Sequence, residues 1–81
     1  MRMDAKREKN GFMERFGRNL AAERARKDMS QEELADAVGL SRWTVAAYEA
    51  GTTTPDMASA TAIADVLGVS LDALAGREPP G

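Results

Sequence analysis

Apolar side chains recur at helical spacing along most of the chain, and no stretch shows the alternation of period two that marks a half-buried strand. The first helix is predicted over about residues 11–27, where one face carries Phe12, Phe16, Leu20 and Ala21. A later helix is predicted over about residues 56–67, where one stripe carries Met57, Ala60, Ile63, Ala64 and Leu67. The pattern therefore predicts an all-α domain.

Capping residues divide the middle of the chain into two short helices. The segment SQEEL begins the second helix, because Ser30 is a good N-cap and Glu33, three residues later, completes a capping box. Gly39 ends that helix. The third helix lies within LSRWTVAAYEAG, where Ser41 is the N-cap and Gly51 follows the last turn. Two short helices joined by a tight turn that contains glycine are typical of a helix-turn-helix.

The rest of the chain falls into a fifth helix and two polar ends. The segment VSLDAL predicts a short helix with Ser70 as its N-cap. Residues 1–10 are charged and have no periodic apolar set, so we expect a flexible charged arm there. Residues 11–76 form the predicted domain, and residues 77–81 form a disordered tail.

Composition excludes several classes of function. The chain has 81 residues, which suffices for one small domain, and it contains no cysteine and no histidine. Disulfides, thiolate metal sites and the commonest general base are therefore absent, so we expect neither an enzyme nor a bound cofactor. Its longest apolar runs fall far short of the ~20 residues that span a bilayer, and its start has no apolar signal segment. We therefore expect a cytoplasmic protein without membrane contact.

The charge is distributed unevenly. The net charge of -2 and the pI near 5.0 argue, taken alone, against a nucleic-acid partner. Residues 1–28, however, carry nine basic and five acidic side chains, whereas residues 29–81 carry two basic and eight acidic ones. This asymmetry fits a basic arm or face on an acidic body, and it also fits a well-solvated first helix of mixed charge.

The order and spacing of several motifs resemble those of a known family. The run FGRNLAAERARKDMSQEELADAVGLSRWTVAAYEAG, followed by TPDMASATAIADVLGVSLDAL, is similar to the helix-turn-helix domain of the lambda-repressor/Cro-like (XRE) family of DNA-binding regulators. The resemblance covers roughly residues 15–75, with SQEELA, VGLS, YEAG and LGVSLDAL in the same order and at the right intervals. It implies a compact five-helix lambda-repressor-like domain, in which the third helix enters the DNA major groove.

The resemblance also implies which residues contact DNA: Gln31, Ser41, Arg42, Trp43, Thr44, Ala46, Ala47 and Thr52. The Gln31 side chain and the first backbone amides of helix two would hold a phosphate. The hydroxyls of this set would reach the DNA backbone or a base. Arg42, Trp43, Ala46 and Ala47 occupy the positions that usually face base edges.

Three of these residues have a second interpretation. Arg42 has the right shape for the O6/N7 edge of guanine, and it equally suits the neutralisation of a phosphate. Gln31 is either a phosphate ligand or an ordinary exposed residue in the first turn of a capped helix. Trp43 either contacts thymine methyls or the sugar wall of the groove, or folds back over Gly39 and Leu40 as partial core.

Glu49 is predicted to be structural rather than catalytic. It shares the inward face of the third helix with Val45 and Tyr48. By resemblance it pairs with Arg24 of the first helix, so we expect an ion pair that joins these two helices.

The expected function is a sequence-specific transcriptional regulator, of the repressor or controller type, that binds double-stranded DNA. A homodimer on a palindromic operator would place its recognition helices ~34 Å apart. The resemblance directs attention to Val69, Leu71 and Leu74 for the dimer contact. No small-molecule effector is expected.

Two observations qualify this expectation. Many relatives carry Lys or Arg in the loop after the third helix, whereas this chain has TTTPD, so electrostatic affinity should be modest. The arm either compensates by contacting DNA or is a solvated tail. The acidic pI and the apolar surface of Trp43, Ala46 and Ala47 support an alternative function, namely an antitoxin-like or accessory module that binds a protein partner.

Overall fold

Five α-helices follow one another in the computed structural model, which describes the backbone of residues 3–77 and the side chains of residues 11–77. They are α1 (Met3–Arg26), α2 (Gln31–Val38), α3 (Arg42–Ala50), α4 (Met57–Leu67) and α5 (Leu71–Ala75). The described residues include no strand, so the all-α five-helix prediction is confirmed.

The first helix begins earlier than its apolar pattern predicted, at Met3 instead of near Gly11. Residues 3–10 include Lys, Arg, Glu and Ala, which have high intrinsic helix propensity. The flexibility of the predicted arm at 1–10 stays a prediction, and its first two residues lie outside the described range. Of the predicted tail at 77–81, residues 78–81 also lie outside it.

Side-chain caps begin the four shorter helices, as the sequence predicted for three of them. The N-cap side chains that accept a backbone N–H from the first turn are Ser30, Ser41, Asp56 and Ser70. At α2 the capping box is complete, because the Glu33 amide donates to Ser30 Oγ at 3.0 Å and the Ser30 amide donates to Glu33 Oε1 at 2.8 Å. These caps determine where α2 and α3 begin.

One apolar core joins all five helices. Its largest fully buried side chains are Leu20, Leu34, Val45, Ile63, Leu67 and Leu74. The prediction that Met57 packs inward is wrong, because its side chain is 71% exposed. Met57 is the first residue of α4, where a side chain that leans toward the helix N-terminus passes beyond the core.

The last helix is held in place by α1. The Asn19 side-chain amide donates to the carbonyls of Ala73 and Leu74 at 3.2 and 3.0 Å, and Arg15 Nε donates to that of Ala75 at 3.4 Å. The bonds to Leu74 and Ala75 supply donors to carbonyls in the last turn of this five-residue helix, and the Ala73 carbonyl, which also accepts from the Gly76 amide, gains a second donor. Among the described residues, no helix combines the length and the apolar character needed to cross a membrane.

Candidate nucleic-acid interface

A tight turn fixes the angle between α2 and α3. Gly39 adopts φ 75° and ψ 30°, a left-handed conformation that costs glycine little, and its amide donates to the carbonyls of Ala35 and Asp36. Two residues later Ser41 begins α3 as its N-cap. The predicted helix-turn-helix is thus present in the structure, with α3 packed against both α1 and α2.

The inner face of α3 is the predicted one. Val45 is fully buried and Tyr48 is nearly so. Arg42, Trp43 and Ala50 are exposed on the opposite side, and Ala46 and Ala47 are half-buried between the two faces. Ala50 follows Trp43 by seven residues, which is close to two helical turns, so it extends the outward surface although it was not among the predicted contacts.

Trp43 does not pack on its own domain. Its side chain is 73% exposed, so the interpretation in which it folds back over Gly39 and Leu40 is wrong. The guanidinium carbon of Arg42 lies over the Trp43 ring, 4.9 Å from the ring centroid. This is a cation–π contact, and it places a charged group and a flat apolar group together at the start of α3.

The three hydroxyl side chains predicted to contact DNA form hydrogen bonds within the protein at the two ends of α3. Ser41 Oγ accepts from the Thr44 amide at 3.1 Å and lies 2.9 Å from Thr44 Oγ1. Thr52 Oγ1 donates to the Ala47 carbonyl at 3.1 Å. All three side chains therefore stabilise the ends of the helix, and their contacts with DNA stay a prediction.

The predicted ion pair between Arg24 and Glu49 is confirmed. Arg24 Nε donates to Glu49 Oε2 at 2.6 Å, and Arg24 Nη2 donates to Oε1 at 3.0 Å. Arg24 Nη1 also donates to the Met29 carbonyl at 2.7 Å, which joins the pair to the loop before α2. The hydrogen bond to Glu49 is the main cause that raises the pKa of Arg24 above its ordinary value.

The sequence did not reveal a further partner of Glu49. Gln31 Nε2 donates to Glu49 Oε1 at 2.9 Å, so one carboxylate joins α1, the start of α2 and the end of α3. One hydrogen of the Gln31 amide is used in this bond, which leaves its second N–H and its carbonyl for another ligand. The sequence offered two signals for this hydrogen bond: a polar residue at the first position of α2 and an acid on the inner face of α3.

Positive charge is sparse on this surface. Arg42 is the single basic residue within α2 and α3, whereas α2 exposes Glu32, Glu33 and Asp36. No group of three or more His, Cys, Asp and Glu side chains among the described residues is arranged to hold a metal ion. What the arrangement offers is one guanidinium, one indole, small alanines and hydroxyls on a short protruding helix.

A sequence profile described as helix-turn-helix matches residues 20–74, from the second half of α1 into α5. The chain belongs to the helix-turn-helix family. This confirms the resemblance on which the site residues were predicted, and the matched range contains all eight of them.

Several members of the helix-turn-helix family resemble this chain over most of its length. It is 39% identical over 59 residues to the SPbeta prophage-derived HTH-type transcriptional regulator YonR of Bacillus subtilis, covering 73% of this chain and 55% of YonR. It is 38% identical over 58 residues to the CTXphi transcriptional repressor RstR of Vibrio cholerae, covering 72% of this chain and 52% of RstR. The chain thus spans about half the length of the curated relatives it matches.

A solved structure shares the fold of this helix-turn-helix chain. The restriction-modification controller protein C.AhdI from Aeromonas hydrophila superposes with a TM-score of 0.73 at 31% sequence identity. The match covers 76% of this chain and 94% of C.AhdI. The two proteins therefore share one fold over most of their lengths.

Proposed function

We propose that this protein is a sequence-specific transcriptional regulator that binds double-stranded DNA by inserting α3 into the major groove. The observation that carries the proposal is the division of α3 into two faces. Val45 and Tyr48 are buried against the domain, while Arg42 and Trp43 project from the opposite side. A short helix held rigidly by its inner face, with an Arg beside an aromatic ring at its N-terminal end, matches the way recognition helices contact base edges.

Each residue of the interface then has a role that its chemistry supports. Arg42 binds the O6/N7 edge of a guanine. Trp43 contacts an apolar part of the groove, and the small side chains of Ala46 and Ala47 allow α3 a close approach. Gln31 donates its second amide hydrogen to a phosphate while Glu49 holds its first.

We also propose that the protein acts as a homodimer on a palindromic operator. An apolar groove runs between α1, the start of α4 and α5, and its lining includes Phe12, Met57 and Leu71. Asp72 and Arg77 line the same groove, so two copies related by a two-fold axis can pair each acid with the partner's base. Leu74, which the sequence offered as a dimer residue, is fully buried and belongs to the core, while Val69 and Leu71 are partly buried.

The proposed sign of regulation is repression or promoter control. RstR is named as a transcriptional repressor and C.AhdI as a restriction-modification controller. A domain of this size regulates most simply by occupying a promoter, because steric exclusion requires only DNA binding.

Selection from a pool of random duplexes at low salt tests the proposal. We expect one palindromic sequence to be enriched, with half-sites about one helical turn apart. An Arg42→Ala variant should lose discrimination at one base pair of each half-site, while Arg26→Ala, which removes an exposed charge at the end of α1, should keep it. If no sequence is enriched and a pull-down yields a stoichiometric protein partner, the protein-interaction function replaces the regulator.

A further inference from the structure

The Arg42 guanidinium lies over the Trp43 ring on the exposed face of α3. The guanidinium carbon lies 4.9 Å from the centroid of the indole ring, and Trp43 is 73% exposed. The salt bridges among the described residues involve Arg24 and Arg26, so the partner of the Arg42 guanidinium is this ring and not a carboxylate. The contact orients the guanidinium before any ligand arrives, which reduces the freedom it must lose on binding.

The distance between the two groups limits where the ring can lie in a major groove. A guanidinium that binds O6 and N7 of guanine with two N–H groups lies close to the plane of that base. Since successive bases are ~3.4 Å apart, a ring centred 4.9 Å from that guanidinium lies within reach of the adjacent base pair.

The apolar character of the ring determines which base it prefers in the neighbouring base pair. In the major groove, the C5 methyl of thymine is the apolar group, whereas cytosine presents an N–H donor and purines present N7. A methyl group on C5 of cytosine occupies the same place as that of thymine. The apolar indole ring packs favourably against such a methyl and gains nothing from an unmethylated cytosine.

We infer that Arg42 and Trp43 act as one reading unit, which selects a guanine together with a 5-methylated pyrimidine in the neighbouring base pair. The inference rests on the proposed function and adds a specific ligand to it. Cytosine methylation next to that guanine should therefore strengthen binding, so the protein distinguishes methylated from unmethylated DNA at this step.

The test begins with the selected operator and the guanine whose replacement weakens wild type but not Arg42→Ala. Each of the two neighbouring base pairs contains one pyrimidine, so thymine can be replaced by uracil, or cytosine by 5-methylcytosine, in synthetic duplexes. At one neighbour we expect about fourfold weaker binding on loss of the methyl, or about fourfold tighter binding on its gain, as for one buried apolar carbon. Fluorescence anisotropy measures both changes.

Variants of the ring separate this inference from the general function. Trp43→Ala should bind with the same affinity whether or not the methyl is present, and its discrimination for the guanine should fall because the guanidinium is no longer held. Trp43→Phe keeps an aromatic ring, so it should retain part of the response to the methyl and part of the discrimination for the guanine. Val66→Ala, a change at a partly exposed apolar residue of α4, should behave as wild type.

Two results would overturn the inference and leave the regulator function intact: no response to the methyl at either neighbour, or a response that persists in Trp43→Ala. Absence of any enriched operator would instead overturn the proposed function, and the inference with it. Circular dichroism of each variant confirms that the fold is retained, which the exposure of Trp43 leads us to expect.

Discussion

Gly17 of α1 lies against the main-chain carbonyl of Tyr48 in α3, at a distance that leaves no room for a side chain. A Cβ atom at this position would lie 2.5 Å from the Tyr48 oxygen and 2.6 Å from the Glu49 oxygen. Backbone atoms cannot rotate away as the end of a flexible side chain can, so any larger residue must push the two helices apart. The position of α3 relative to the body, and hence of its outer face, depends on this glycine.

We predict that Gly17→Ala lowers the free energy of unfolding by about 1–3 kcal/mol, because overpacking outweighs the better helix propensity of alanine. Urea denaturation followed by circular dichroism measures the change. Gly11→Ala in the same helix is the matched control, since its Cβ would lie 3.6 Å from Arg15 Nη1, an ordinary contact. That variant should gain about 0.5–1 kcal/mol. Equal effects of the two substitutions would contradict a close approach at Gly17.

The ion pair between Arg24 and Glu49 should matter more for stability than for DNA recognition. Their side chains are 19% and 9% exposed, so removing one partner leaves a largely buried charge. We predict that Arg24→Met costs roughly 3 kcal/mol of unfolding free energy, a large share of what a domain of this size possesses. Chemical denaturation at neutral pH measures the loss.

Two further variants test the cause of that loss. Arg26→Ala removes a charge whose pair with Glu23 is at the surface, and it should change stability by less than about 1 kcal/mol. Replacing both partners, in Arg24→Met with Glu49→Leu, should recover part of the stability because no unpaired charge remains. A double variant less stable than Arg24→Met would show that the hydrogen bonds to Met29 and Gln31 carry more of the energy than the charge pair does.

The sequence was sufficient to predict the helices and the inner face of α3, because helix capping and the spacing of apolar residues act locally. Ser30, Glu33 and Gly39 specify α2 without reference to the rest of the chain. Val45 and Tyr48 were assigned inward from their spacing, and they are buried. Such features depend on neighbours within one turn of helix, which a linear pattern records.

Contacts between helices were harder to predict from the sequence. The close approach at Gly17 depends on how α1 crosses α3, and a glycine inside a helix gives no direction by itself. Met57 fitted the apolar stripe of α4, yet it is exposed because the stripe extends past the edge of the core. The sequence left the position of Trp43 open, since an indole can cover its own backbone or project from it, and its exposure in the structure distinguishes the two.

The N-cap of α4 should make stability depend on pH in acid. The Ser59 amide donates to Asp56 Oδ1 at 2.8 Å, and this bond lowers the pKa of the Asp56 carboxyl below its ordinary value. A pKa lowered by folding contributes stability above the unfolded value of about 3.9, and that contribution is lost as pH falls through the folded value.

We therefore predict that Asp56→Asn is less stable than wild type at pH 7 and that the difference shrinks in acid, as the pH falls below the unfolded value of about 3.9. Asparagine still accepts the hydrogen bond, so the comparison isolates the charge. Asp65→Asn, in the last turn of the same helix, should not be destabilising at pH 7, because a carboxylate is not favoured at a helix C-terminus. Urea denaturation at pH 7 and in acid measures the differences in the free energy of unfolding. If Asp56→Asn were less stable than wild type by the same amount in both conditions, the Asp56 charge would not be the cause.

The apolar groove offers a test of the proposed dimer that spares the fold. Met57 lines this groove with a side chain that is 71% exposed, so a charge at this position removes no core contact. Across a two-fold contact, Met57→Glu would bury two carboxylates in an apolar interface, which costs several kcal/mol per ion. We predict that this variant sediments as a monomer at concentrations where the wild type is a dimer.

The same variant should bind a palindromic operator more weakly, because its two half-sites must then be occupied independently. Its affinity for an isolated half-site should equal that of the wild-type protein, since α3 lies outside the groove. Ala58→Glu is the matched control, because it adds the same carboxylate at an exposed position one residue along the first turn of α4, outside the lining of the groove. If both glutamate variants remain dimers in analytical ultracentrifugation, the dimer contact lies on another surface.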